Sequence, residues 1–173
     1  MSAATAAATV GLLTGVAHGL VGVSFSGAAP IDVVAERVES EGMVIVPALS
    51  SDGTASLMVR LPSARLEGLC QSSSFELPVL GTMNTVLRAK QVRATDLTLE
   101  ARDVLGTLSL EQLVVGALPA EDGERTGYRS DRMSLENVTI RANSVTSATF
   151  VVDGLELGHR SEGCPTQGGV ATR

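Results

Sequence analysis

The chain has 173 residues, a formal net charge of −6, two cysteines and four aromatic residues, three Phe and one Tyr, with no Trp. That length suits one domain and can bury a core without a metal or disulfide staple. The acidic balance and the lack of stacking platforms argue against nucleic-acid binding. Two cysteines without a CxxC cannot build a structural zinc site, so neither metal nor cofactor is expected.

The chain opens without charge: from Met1 to Ile31 there is no Asp, Glu, Lys or Arg. Each charge at the centre of a bilayer costs about 2.5–3.5 kcal/mol on insertion scales, so such a stretch suits a segment that enters or crosses a membrane. Residues 1–29 are expected to form an apolar helical leader or membrane anchor. Val10, Leu12, Leu13, Val16, Leu20, Val21 and Val23 would make its membrane segment. A cleaved signal peptide has the apolar stretch it needs here but lacks a basic start, since nothing basic precedes Arg37. A retained anchor has sufficient length from Ala3 to Val23. A helix packed on the folded domain is the third reading. Ala3 to Ala8 favours helix, while Gly11, Gly15, Gly19 and Gly22 weaken it in water.

From Pro30 the texture changes to short alternating runs between Gly, Ser, Asn, Asp and Pro, the pattern of strands and turns. Residues 30–164 read as a single β domain and 165–173 as a loose tail. Ile31–Val38 and Met43–Val46 are predicted strands separated by Ser40-Glu41-Gly42. Ser51-Asp52-Gly53 is a turn signal. Ala55–Leu61 ends at Pro62, and Ala64–Cys70 follows with a bulge at Gly68. Two later segments, Val92–Gly116 and Met133–Gly158, share their apolar positions at an offset of 41 residues. In both, the alternation loses its parity at one place, Thr95-Asp96 and Glu136-Asn137. A parity break sends later side chains to the other face unless a bulge or corner intervenes, so two copies argue for a repeated corner. Pro119–Arg132 is charged and aperiodic and reads as a surface loop. The fold expected is mainly β, an antiparallel sandwich or barrel-like domain behind the apolar helix. A short β-solenoid is the alternative that the repeat favours.

Cys70 and Cys164 read as one disulfide in an exported chain, or as two separate buried thiols in a cytosolic one. Catalytic sets are scarce. There is no G-x-S-x-G, P-loop, dinucleotide fingerprint or HExxH. His18 lies in the leader, and His159 is an exposed strand-end residue. A Ser24–His159–Asp153 hydrolase set rests on residue type alone.

In order along the chain come the apolar leader, Ser24–Gly27 (SFSG), Leu69–Ser72 (LCQS), Pro78–Thr82 (PVLGT), Ala94–Leu99 (ATDLTL) and Cys164. In that order they resemble a family of exported actinobacterial proteins of unknown function often labelled "cholesterol esterase". The resemblance implies an envelope or secreted protein with a Cys70–Cys164 bridge and supplies no mechanism. The expectation is therefore a non-enzymatic, secreted or extracytoplasmic structural or surface-interaction module, in contact with the membrane or cell envelope. The alternatives are a carrier of lipid or another hydrophobic ligand, a self-assembling homo-oligomeric surface subunit and, least supported, a serine ester hydrolase.

Overall fold

A computed structural model describes residues 23–79, 81–120 and 123–165. Seven strands take up nearly all of them: β1 (Val23–Leu49), β2 (Ala55–Leu77), β3 (Gly81–Glu111), β4 (Val114–Ala120), β5 (Gly123–Ser147), β6 (Thr149–Asp153) and β7 (Glu156–Arg160). All pairings among them are antiparallel. β5, β6 and β7 follow one another down the same edge of β3, from Leu110↔Met133 through Ala94↔Phe150 to Asn84↔Arg160. β4 likewise prolongs β3 along β5. The architecture reduces to four very long strands in meander order. β1 bonds to β2 and β5, β2 to β3, and β3 to β5, which closes a ring. The expected antiparallel, barrel-like domain is present as a single sheet closed on itself.

The ring closes with a large offset. From Val92 on β3 the hydrogen-bonded partners are Leu66, Val38, Leu135 and then Leu108, sixteen residues further along the same strand. From Leu87 they run through Gln71, Val33 and Ile140 to Val104, seventeen residues on. Stagger and strand tilt are linked, so so large an offset makes the strands wind steeply around the axis and stack on their own earlier turns.

The punctuation read as turns lies inside continuous strands. Gly42 falls within β1, Pro62 and Gly68 within β2, Asp96 within β3 and Asn137 within β5. These residues form two transverse lines where the ladder misses a pair. One passes Asn137, Glu36, Gly68, Lys90 and Gly154, and the other Asp131, Gly42, Pro62 and Asp96. On each line positive φ recurs on alternate strands: Asn137 at 53°, Gly68 at 60° and Gly154 at 67°, then Gly42 at 87° and Asp96 at 49°. Inward parity switches at each line. β1 buries Ile31, Val33 and Ala35, then Val38, then Met43. β2 buries Leu57, Val59 and Leu61, then Ala64 and Leu66, then Leu69. Asn and Asp tolerate the left-handed region better than most residues, which is why the sequence can carry them at corners where a β-branched residue would be strained. The repeated corner expected at Asp96 and Asn137 is thus a pair of creases that let long strands wrap one core.

Two expectations change. The segment Pro119–Arg132 is not a loop: β4 runs to Ala120 and β5 begins at Gly123, a hairpin with both faces largely in water and hence without apolar alternation. The strand region begins earlier than Pro30, since Val23 pairs with Ser147 as the first residue of β1. Val23 therefore belongs to the sheet and not to a helical segment. The rest of the expected segment, Val10, Leu12, Leu13, Val16, Leu20 and Val21, lies outside the described residues, as does the tail beyond Pro165. Among the described residues no helix is long and apolar enough to cross a membrane.

Candidate functional site

The interior face of the ring is almost wholly aliphatic, and its side chains do not fill the space they enclose. A cavity of about 380 Å³ remains, within the range of small-molecule sites. Its wall comes from all four long strands: Val33, Val38 and Ile45 on β1, Val59 and Leu66 on β2, Leu97, Leu99 and Leu108 on β3, and Leu135, Ile140 and Val145 on β5, with Phe150 of β6 the one aromatic. Sequence explains the void. Val, Leu and Ile are short, no Trp is available, and Tyr128 faces solvent.

Among the described residues two polar side chains line this cavity, Gln71 and Ser147. The Ser147 hydroxyl sits 2.9 Å from the Thr95 carbonyl and also reaches that of Thr149, so its bonding is spent on the backbone. The Gln71 amide makes no hydrogen bond with any described residue and faces the open space. No Asp, Glu, Lys, Arg or His is among the lining residues.

The cavity opens where the sheet ends. β3 beyond Ala101 has left β2 and, among the described residues, pairs with β5 alone along one edge. Val104 and Leu108 line the cavity there and are 37% and 49% exposed. At the opposite edge Leu157 of β7 pairs with Leu87, sharing its face, and is 67% exposed.

A polar network gathers around the β1–β2 turn. Asp52 in the β1–β2 turn accepts bonds from the Thr54 hydroxyl (2.6 Å) and amide (3.0 Å) and from Arg102 (2.7 Å). Arg102 also donates to Asn143 Oδ1 at 2.8 Å. Glu100 accepts from Ser50, from Ser56 at 3.2 Å and from Asn143 at 3.2 Å. The Thr54 bonds chiefly, with Arg102 helping, hold the Asp52 carboxyl below its ordinary range. The Ser50 hydroxyl does the same for Glu100, against partial burial and with help from Asn143 and Ser56. The network sits where the β3–β5 register shifts between Glu100 and Ala101, and it gives the displaced polar groups partners.

Cys70 and Cys164 form a disulfide, as the resemblance implied. It packs on the outer face against Val34 and Val86. The adjoining tail is tied by Asn84 Nδ2 to the Ser161 carbonyl at 2.9 Å and by the Cys164 amide to Ser72 Oγ at 3.1 Å.

The hydrolase set is not assembled. His159 pairs with Thr85 and Asp153 with Gln91, while Ser24 pairs with Thr146, itself opposite Thr98. At 3.2–3.4 Å per residue these stations lie roughly 20 Å of strand apart. The exposed His159 ring instead has Nδ1 3.3 Å from Thr85 Oγ1 and meets the edge of Phe75 at 6.0 Å between centroids. Among the described residues no group of His, Cys, Asp and Glu could hold a metal ion. Sequence reading missed Gln71 altogether; it stood in the LCQS run as a bystander beside Cys70, and nothing local marks it as inward.

No curated protein and no solved structure matches the chain. A family profile matches residues 26–165, which span the ring, its creases and both bridge cysteines, and the chain belongs to that family of unknown function, DUF6230.

Proposed function

We propose that this chain is a non-enzymatic, extracytoplasmic protein whose ring of strands holds an apolar ligand such as a lipid chain. The observation that carries the reading is the unfilled aliphatic cavity, open where β3 leaves β2. Emptying an interior forfeits dispersion contacts on its lining, so a persistent void of this size is costly unless something occupies it. Location outside the cytoplasm, as in an exported actinobacterial family, is supported by the uncharged opening and by the disulfide, which suits an oxidising compartment. Native mass spectrometry of gently purified protein tests the reading. Adducts that disappear on organic extraction, and return with added single-chain lipid, are the expected result. A clean apo mass together with no uptake of an apolar fluorescent probe refutes it.

Two strand edges unpaired among the described residues favour a second reading, a self-assembling subunit. Unpaired strand edges are templates for further pairing, and here they carry exposed Leu105 on one side and Leu157 on the other. Sedimentation velocity across a hundredfold concentration range decides it. Growth into longer species supports assembly, and a monomer throughout rejects it.

A further inference from the structure

We propose that Gln71 is the recognition residue of the cavity, and that the ligand is a long apolar molecule carrying one neutral hydrogen-bonding group, a hydroxyl, carbonyl or ester. The proposal deepens the apolar-ligand reading and rests on it. Gln71 is only 9% exposed. Its cross-strand partners are Val33 and Leu87, both on the core face, so its side chain points inward with theirs. There its amide has two donors and an acceptor to satisfy, and no described residue supplies a partner. The amide is in contact with the cavity space, so a ligand with a hydrogen-bonding group can pair with it, whereas a pure hydrocarbon filling the cavity would leave it unpaired.

The remaining lining narrows the chemistry. Among the described residues no charged side chain lines the cavity, so an ionised headgroup would lie among apolar groups without a counter-charge from them. Ser147 has both neighbouring carbonyls as partners and offers little more. That leaves one neutral contact. Gln71 belongs to the row of paired residues that ends at Val104, the part-exposed lip of the opening.

The test uses the delipidated full-length protein loaded with an apolar fluorescent probe and displaced by decane, decan-1-ol or decanoate at pH 8. Decan-1-ol is expected to compete about fivefold better than decane, the advantage of one net hydrogen bond, and decanoate worst of the three. Gln71→Leu should erase the advantage of the alcohol over decane. Gln71→Met provides a second apolar replacement should the leucine fit badly. Equal displacement by decane and decan-1-ol in the natural protein overturns the role of Gln71 while leaving the cavity as an apolar site. So does an alcohol preference that survives both replacements. If none of the three compounds displaces the probe and the probe itself does not bind, the apolar-ligand reading falls and takes this one with it.

Discussion

Adding single methyl groups to the cavity wall separates an open interior from a packed one by the sign of the effect. Val33, Val59 and Val145 lie on three different strands, and each lines the cavity. Replacing each by Ile keeps the β-branched shape that strands favour and extends the side chain by one carbon. If that carbon enters empty space, its burial contributes about 0.8 kcal/mol. If the interior is already filled, the same carbon costs about 1–3 kcal/mol through displaced rotamers and backbone. All three line one cavity and can couple through it, so the triple variant gains at most about 2.4 kcal/mol. For a domain of this size that corresponds to roughly 5–10 °C in Tm. The assay is urea unfolding followed by far-UV circular dichroism, on delipidated protein, because a bound ligand would stabilise the natural form selectively. The triple variant should also take up less probe as its stability rises. Three single variants that each lose about 1 kcal/mol or more would show a filled core and refute the argument.

Other consequences follow from the backbone, the bridge and the polar end. Asn137 sits at φ 53°, where Ala meets a penalty of about 1–2 kcal/mol and Gly does not; Asn137→Ala should lower the urea midpoint and Asn137→Gly should keep it. Reducing the Cys70–Cys164 bridge, which closes a separation of 94 residues, should cost at most about 4–5 kcal/mol in the chain-entropy picture; limited proteolysis should then cut first near Ser161. The Ser50 hydroxyl holds the folded pKa of Glu100 below the ordinary glutamate value. The carboxylate's contribution is complete above that value and is lost as pH falls through the lower folded one, so stability should fall more steeply on the acid side in the natural protein than in Glu100→Gln, as read from urea midpoints between neutral pH and pH 3.

What the sequence made legible was local. Alternation in Ala55–Leu61 and in the paired segments identified strands, and loss of parity at Asp96 and Asn137 located two corners before any coordinates. The sequence marks Gly42 and Pro62 as breaks between strands and Gly68 as a bulge, and none of the three ends a strand. Only their alignment across neighbouring strands shows that the chain continues through them. That alignment depends on partners twenty to a hundred residues away, and no window of sequence contains it. The ring offset is hidden for the same reason. The cavity was legible only as composition, a β body rich in Val and Leu and poor in aromatics. Gln71 was invisible because its direction depends on the crease at Gly68, which shifts the inward parity from Leu66 to Leu69 and so turns Gln71 inward.

That dependence joins the fold to the site. Without the crease at Gly68 the inward series of β2 would continue from Leu66 through even-numbered positions, carrying Cys70 into the interior and Gln71 out. A Cβ at Gly68 would lie 2.6 Å from the Glu36 side chain, and φ there is 60°, so no residue with a side chain replaces this glycine without strain. One backbone position therefore puts the sulfur on the outer face, where it can bond Cys164, and the amide on the inner face, where it lines the cavity. The strap and the binding handle are adjacent in sequence because strand geometry sends neighbours to opposite faces, and the crease decides which of the two faces each of them receives.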